Sequence, residues 1–230
     1  GVGFNTWWKT SMTAEDQLRQ RIAFALSQIH VVSGQGPLED NSRAISDFYD
    51  TLAANAFGNF NDILINTTLT PAMGRYLDML RNDKPDLTVG RIPNENYARE
   101  IKQLFSIGLV ELNPDGSART AGALPLETYT PADISGLARV FTGWSWACPD
   151  WPDNGCFFSG SVGGVSDPNR AFVPLLGYPQ YHSTEAKTFL GTTVGTQALA
   201  DPNASLGAAL NRLAAHPNVG PFIGRQLIQR

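Results

Sequence analysis

Apolar and ionisable residues interleave at helical spacing most strongly between Asn94 and Phe105. At about 100° per residue, Tyr97, Ala98, Ile101, Leu104 and Phe105 gather into one apolar arc, which predicts a helix with one face on a core. Glu95, Asn96, Arg99, Lys102 and Gln103 spread over the other side, and Glu95 to Arg99 has the i, i+4 spacing of an ion pair. Glu100 stands at the rim of the arc, where partial desolvation raises the pKa of a carboxylate unless a cation or donor compensates.

The same rhythm predicts helices along most of the chain. Thr13, with Asp16 three residues on, reads as the start of a helix carrying Leu18, Ile22, Ala25, Leu26 and Ile29, ended by breakers from Ser33 to Pro37. His30, near that end, reads as a packed or capping histidine. Ile45, Phe48, Tyr49, Leu52, Ala53 and Phe57 mark a second helix, and Phe60, Ile63 and Leu64 a third. Thr70-Pro71 and Thr130-Pro131 each place a capping hydroxyl before a first-turn proline, the second with Asp133 in the third position. Asp201-Pro202 opens a helix through Leu206, Ala209, Leu210 and Leu213, which His216-Pro217-Asn218 separates from the last one.

Two stretches break the rhythm. Asn113-Pro114-Asp115-Gly116 is turn chemistry between short extended pieces and predicts a small hairpin over about Leu109 to Ser117. From about Trp146 to Ala200 the chain is dense in glycine, proline and aromatic residues and predicts a long irregular lobe. The expected fold is therefore all-α, a single multi-helix globular domain over residues 1–230 with one hairpin and that lobe. The final segment, Pro221 to Arg230, stays amphipathic to its last residue, so the chain is expected to be a piece of a longer protein.

Composition narrows the chemistry. A net charge of -4 without a basic run argues against nucleic acid as a partner, and no apolar run is long enough to cross a bilayer. Cys148 and Cys156 flank a turn-rich segment able to bring their sulfurs together, so a disulfide and an oxidising compartment are expected. His30, His182 and His216 are too scattered for a zinc signature, no metal ligand set is assigned, and nothing in the residues names a cofactor. Trp144, Trp146, Trp151, Phe157 and Phe158 fit either a small local core or an aromatic platform for sugar rings.

The segments Asn94 to Glu100 with Leu104-Phe105 and Gly108, Ala138 to Trp144, Tyr181-His182 followed by Lys187 to Gly191, and His216-Pro217-Asn218 followed by Arg225 occur in one order. Together with Asp16 to Arg21 and Ser27-Gln28, they resemble the bacterial family called domain of unknown function 1800. The resemblance implies a mostly helical, commonly exported protein and brings no mechanism. Members often carry Asp directly after the histidine, where this chain has Ser183, and a small residue where it has Glu185. An aspartate beside His182 is thus not available as ligand or proton carrier.

Two readings of function follow. In the first, an exported hydrolase-like enzyme uses Glu100, Glu95, His182 and His216 for acid–base catalysis on a carbohydrate or similar polar substrate held by Asn96, Arg99, Lys187, Trp144 and Arg225. In the second, the same residues form a buried polar network in a non-catalytic scaffold or binding module for a carbohydrate or protein partner.

Overall fold

The computed structural model describes the backbone of residues 2–230 and side chains from Asn5 onward. Its helices are α1 (Val2–Thr13), α2 (Gln17–Ser27), α3 (Ser42–Ala54), α4 (Phe60–Thr68), α5 (Pro71–Tyr76), α6 (Asn96–Gln103), α7 (Pro131–Val140), α8 (Asn154–Ser159), α9 (Pro202–Ala214) and α10 (Val219–Gln229). The all-α expectation is corrected: helix accounts for 45% and strand for 11%, a mixed α/β composition. The reason lies in the turn-rich stretches, whose glycines close short antiparallel pairs instead of leaving irregular loops. Thr120–Ala121 pairs with Leu124–Pro125, Ser161–Val162 with Val165–Ser166, and Lys187–Phe189 with Thr192–Val194. The predicted turn at Asn113 forms, with Gly116 N–H donating to Asn113 O over 2.9 Å, but only isolated bridges flank it, such as Leu112 with Ala118.

The chain divides into two compact units. The first holds the chain up to Leu80 and Ser145–Leu176. Here α3 buries Ala44, Ile45, Phe48 and Leu52, the predicted stripe, and α1, α2 and α3 pack on one another. Trp7 stacks on Tyr49 with ring centroids 4.7 Å apart. Thr13 does not cap α2: it closes α1 by donating to Lys9 O over 2.8 Å, and Asp16 is the residue before α2. Thr70 caps α5 through Met73 N–H as its sequence predicts. His30 is buried against the Phe60 ring. Cys148 and Cys156 are bridged. Phe157 and Trp146 are buried near them, whereas Trp151 and Phe158 are exposed.

The second unit holds Arg81–Trp144 and Gly177–Gln229. Its centre is α7, which packs against α6, α9 and the Lys187–Phe189 strand. Two glycines permit close approaches. At Gly136 a Cβ would lie 1.8 Å from the carbonyl oxygen of Thr188, so helix and strand touch backbone to backbone. At Gly108, with φ +70°, a Cβ would meet the Phe222 ring at 2.5 Å, and its absence lets α10 seat there.

Gly136→Ala should therefore lower stability by about 3 kcal/mol or more, because neither backbone can yield without breaking its own hydrogen bonds. Urea denaturation of the two proteins checks this, and a change below about 0.5 kcal/mol would contradict the packing described.

Candidate functional site

The site residues expected from sequence all lie in the second unit, where they divide into groups. The first group sits at the start of α6. Asn94 fixes that start: its side chain accepts from Asn96 N–H at 2.8 Å, while its backbone exchanges two hydrogen bonds with the buried Asn82 amide. Glu95 then reaches α7, accepting from Ser135 Oγ at 2.6 Å, and its other oxygen lies 3.5 Å from Arg99. Tyr97 packs edge-on against Phe141 of α7, with centroids 4.8 Å apart. Glu100 is half-buried and acts electrostatically on Tyr129, as do Arg99 and Glu127.

His182 and Lys187 form a second group, fully buried and hydrogen-bonded. His182 Nδ1 lies 2.8 Å from Thr142 O, which makes it the protonated nitrogen. Nε2 therefore presents its lone pair to Ser205 Oγ at 2.9 Å. Gln197 continues the chain: its Nε2 donates to Ser205 Oγ at 3.1 Å, and its Oε1 lies 3.4 Å from Lys187 Nζ. Lys187 also donates to Glu185 O at 3.1 Å. Burial pushes His182 down to about 4, so it is neutral at physiological pH.

The third group lies at the turn between α9 and α10. His216 Nδ1 accepts from Asn218 N–H at 3.2 Å, and burial followed by the nearby Arg212 lowers its pKa. Asn218, named from sequence only as part of the segment between α9 and α10, uses its amide to satisfy Ile107 O, Val110 O and Leu112 N–H, at 2.6, 2.8 and 2.6 Å. Arg225 is exposed, 3.5 Å from Gly116 O. Trp144, expected among the substrate-binding residues, has a buried ring. His182 and His216 pair with backbone and hydroxyl groups rather than with Glu95 or Glu100.

What opens to solvent is a cleft of about 670 Å³ beside α6. Its walls are Arg99 and Gln103 of α6, the excursion through Leu109, Val110, Leu124, Pro125, Glu127 and Tyr129, and the start of α7. The excursion is stiffened by its own pairing: Glu111 N–H donates to Leu126 O at 2.8 Å, Thr128 N–H to Leu109 O at 3.1 Å, and the Thr128 hydroxyl to Gly108 O. A second groove of about 460 Å³ shares Gln103, Leu109 and Val110 and continues along Phe222 and Arg225. Among the described residues no group of three or more His, Cys, Asp or Glu is placed to hold a metal ion.

Behind the cleft wall stands Lys102, which the helical wheel places on the polar side. It is completely buried, its Nζ has no hydrogen-bond partner among the described residues, and the amine faces the Tyr129 ring at 4.5 Å from the centroid. The nearby carboxylate of Asp133 is already occupied. One oxygen takes Thr130 N–H and O–H, both at 2.7 Å, and the other takes Leu190 N–H at 2.6 Å. Burial pushes Lys102 down to about 7, with Asp133 and Glu95 opposing and Arg99 reinforcing the shift.

Comparison with known proteins gives one assignment. A family model described as "Protein of unknown function (DUF1800)" matches residues 4–230. No functionally curated protein and no solved structure matches the chain.

Two measurements test this arrangement. His182 binds its proton more weakly folded than unfolded, so its contribution is intact above pH 6.5 and is lost as pH falls towards 4. His182→Gln should be destabilising at pH 7, with a deficit that shrinks by about 3 kcal/mol by pH 4 in paired urea titrations. A deficit independent of pH would mean that His182 titrates normally. Lys102→Met should instead raise stability at pH 7 by about 2 kcal/mol, since an apolar chain replaces an unpaired amine whose ring contact offsets part of its desolvation. That gain should vanish as pH approaches 10.5, where the unfolded lysine also becomes neutral.

Proposed function

The chain belongs to the DUF1800 family, and from that premise we propose that its second unit is a ligand-binding module whose cleft beside α6 receives a small organic molecule. The observation that carries the reading is the cleft itself. Apolar Leu109, Val110, Leu124 and Pro125 give it a desolvating wall, and Arg99, Gln103, Glu127 and Thr130 bring polar groups to the same space. A few polar groups set in an apolar concavity of this size are the usual basis of small-molecule recognition. The net charge of -4 favours a small ligand over a nucleic acid.

Binding fits better than acid–base hydrolysis by His182. A general base has to reach the proton it removes, and both His182 nitrogens are engaged in a solvent-excluded network. The bridged cysteines are compatible with an exported binding protein, and among the described residues no helix is long and apolar enough to cross a membrane.

A thermal-shift panel of sugars, hydroxy acids, oxo acids and amino acids tests the proposal. A true ligand at roughly a hundredfold excess over its Kd should raise Tm by about 5 °C or more. Leu109→Trp, which fills the cleft from an exposed position, should abolish the shift, whereas His182→Gln should retain it relative to its own baseline. A shift that survives Leu109→Trp unchanged, or a panel without any shift, counts against the cleft.

A further inference from the structure

Lysine is scarce in this chain: Lys9, Lys84, Lys102 and Lys187 are the full set. Two of them are completely buried, and their surroundings differ. Lys187 has two oxygen acceptors within 3.4 Å, as a structural ammonium requires. Lys102 has none. A hydrocarbon side chain would fill its place without the desolvation cost of an amine, so packing alone does not account for the nitrogen.

Its placement does suggest a use. Tyr129 is at once the ring that covers Lys102 Nζ and a wall of the cleft. That one half-buried ring therefore meets the amine and also lines the cleft. Arg99, one helical turn before Lys102, also lines the cleft, and among the described residues its one ion-pair contact is the long one to Glu95 at 3.5 Å. The cleft therefore has a loosely held guanidinium in its wall and a desolvated primary amine directly behind that wall. That pair suits a ligand with a carbonyl for the amine and a carboxylate for the guanidinium.

We infer that Lys102 is a carbonyl-capturing amine and that the ligand of the cleft is a small 2-oxo carboxylic acid, bound as an imine. The inference rests on the cleft being the binding site. The Nζ lone pair attacks the carbonyl carbon, and the carbonyl oxygen takes a proton as one N–H is lost, giving a carbinolamine. Loss of the hydroxyl with the remaining N–H as water gives the C=N bond. One C=O and two N–H bonds are exchanged for C=N and water, with no change of oxidation state. The groups around the amine are Tyr129 from the segment before α7, Asp133 of α7, Arg99 of α6 and Glu95 just before α6. Of the nearby carboxylates, Asp133 is committed to its backbone and hydroxyl donors and Glu95 to Ser135 and Arg99. The amine is thus left uncharged over much of the neutral range, the state that attacks carbonyls.

Reductive trapping tests this on the full chain. The protein is incubated with pyruvate and cyanoborohydride between pH 6 and 9, with acetaldehyde in parallel, and peptide mapping by mass spectrometry reads the modified lysine. The site assignment thus needs no variant to fold. At pH 7 the adduct on Lys102 should form about tenfold or more faster than on exposed lysines, which remain almost wholly protonated there. Lys102→Met should remove that adduct alone. Arg99→Ala should slow trapping of pyruvate about tenfold more than trapping of acetaldehyde. Equal rates at Lys9, Lys84 and Lys102, or modification of Lys102 only after denaturation, would overturn the inference. Thermal shifts without reductant separate the two levels. An oxo acid that shifts Tm and is blocked by Leu109→Trp, yet leaves Lys102 unmodified, retains the cleft and removes the imine; the absence of both signals removes both.

Discussion

Much of the second unit turns on the hydrogen bonds of one carboxylate. Asp133 completes the capping box of α7 with one oxygen and holds the Leu190 N–H with the other. In doing so it fixes the turn of the Lys187–Val194 hairpin against the helix whose Gly136 touches Thr188. Arg212 of α9 donates to the carbonyl of the same Leu190 at 2.7 Å, so three elements meet at one residue with φ +49°. Both of its oxygens are thus engaged by Thr130 and Leu190, and among the described residues it makes no hydrogen bond to Lys102 Nζ. The unpaired amine is a consequence of how the unit is assembled.

The two buried lysines show how differently one side chain behaves under one constraint. Desolvation lowers the pKa of both, Lys187 against the pull of Glu185 and Lys102 against that of Asp133 and Glu95. Lys187 ends in a connected chain through Gln197 and Ser205 to His182 and Thr142, in which every member has a partner, and such a network rigidifies a core. Lys102 ends against an aromatic face at the back of an open cleft. Position next to solvent-accessible space, more than burial itself, separates a structural amine from a reactive one.

Local signals were legible where the chain's own neighbours decide the outcome. The caps at Thr70 and Thr130, the stripe of α3, the turn at Asn113 and the Cys148–Cys156 bridge each follow from residues close in sequence. Start signals were less secure. Thr13 is hydrogen-bonded back into α1, because the apolar residues around Trp7 make that segment helical as well. The all-α expectation failed because two- and three-residue strands are too short to show alternation; only their pairing defines them.

The sequence by itself determined that α6 is an amphipathic helix bearing charge on its rim. On the wheel, Glu100 and Lys102 flank the apolar arc symmetrically, each about 40° outside it, so periodicity cannot say which is drawn inward. Tertiary structure decided. The buried set is Tyr97, Ala98, Ile101, Lys102 and Phe105, while Leu104 is exposed, a rotation of about 30° away from the apolar centre. Contact with α7 through Tyr97 and Glu95, and the Tyr129 segment laid over the last turn, set that rotation. Those partners lie 27 positions away along the chain for Tyr129 and Lys102, 40 for Ser135 and Glu95 and 44 for Phe141 and Tyr97, beyond the reach of any local pattern, which is why the sequence pointed to Glu100 and the structure to Lys102.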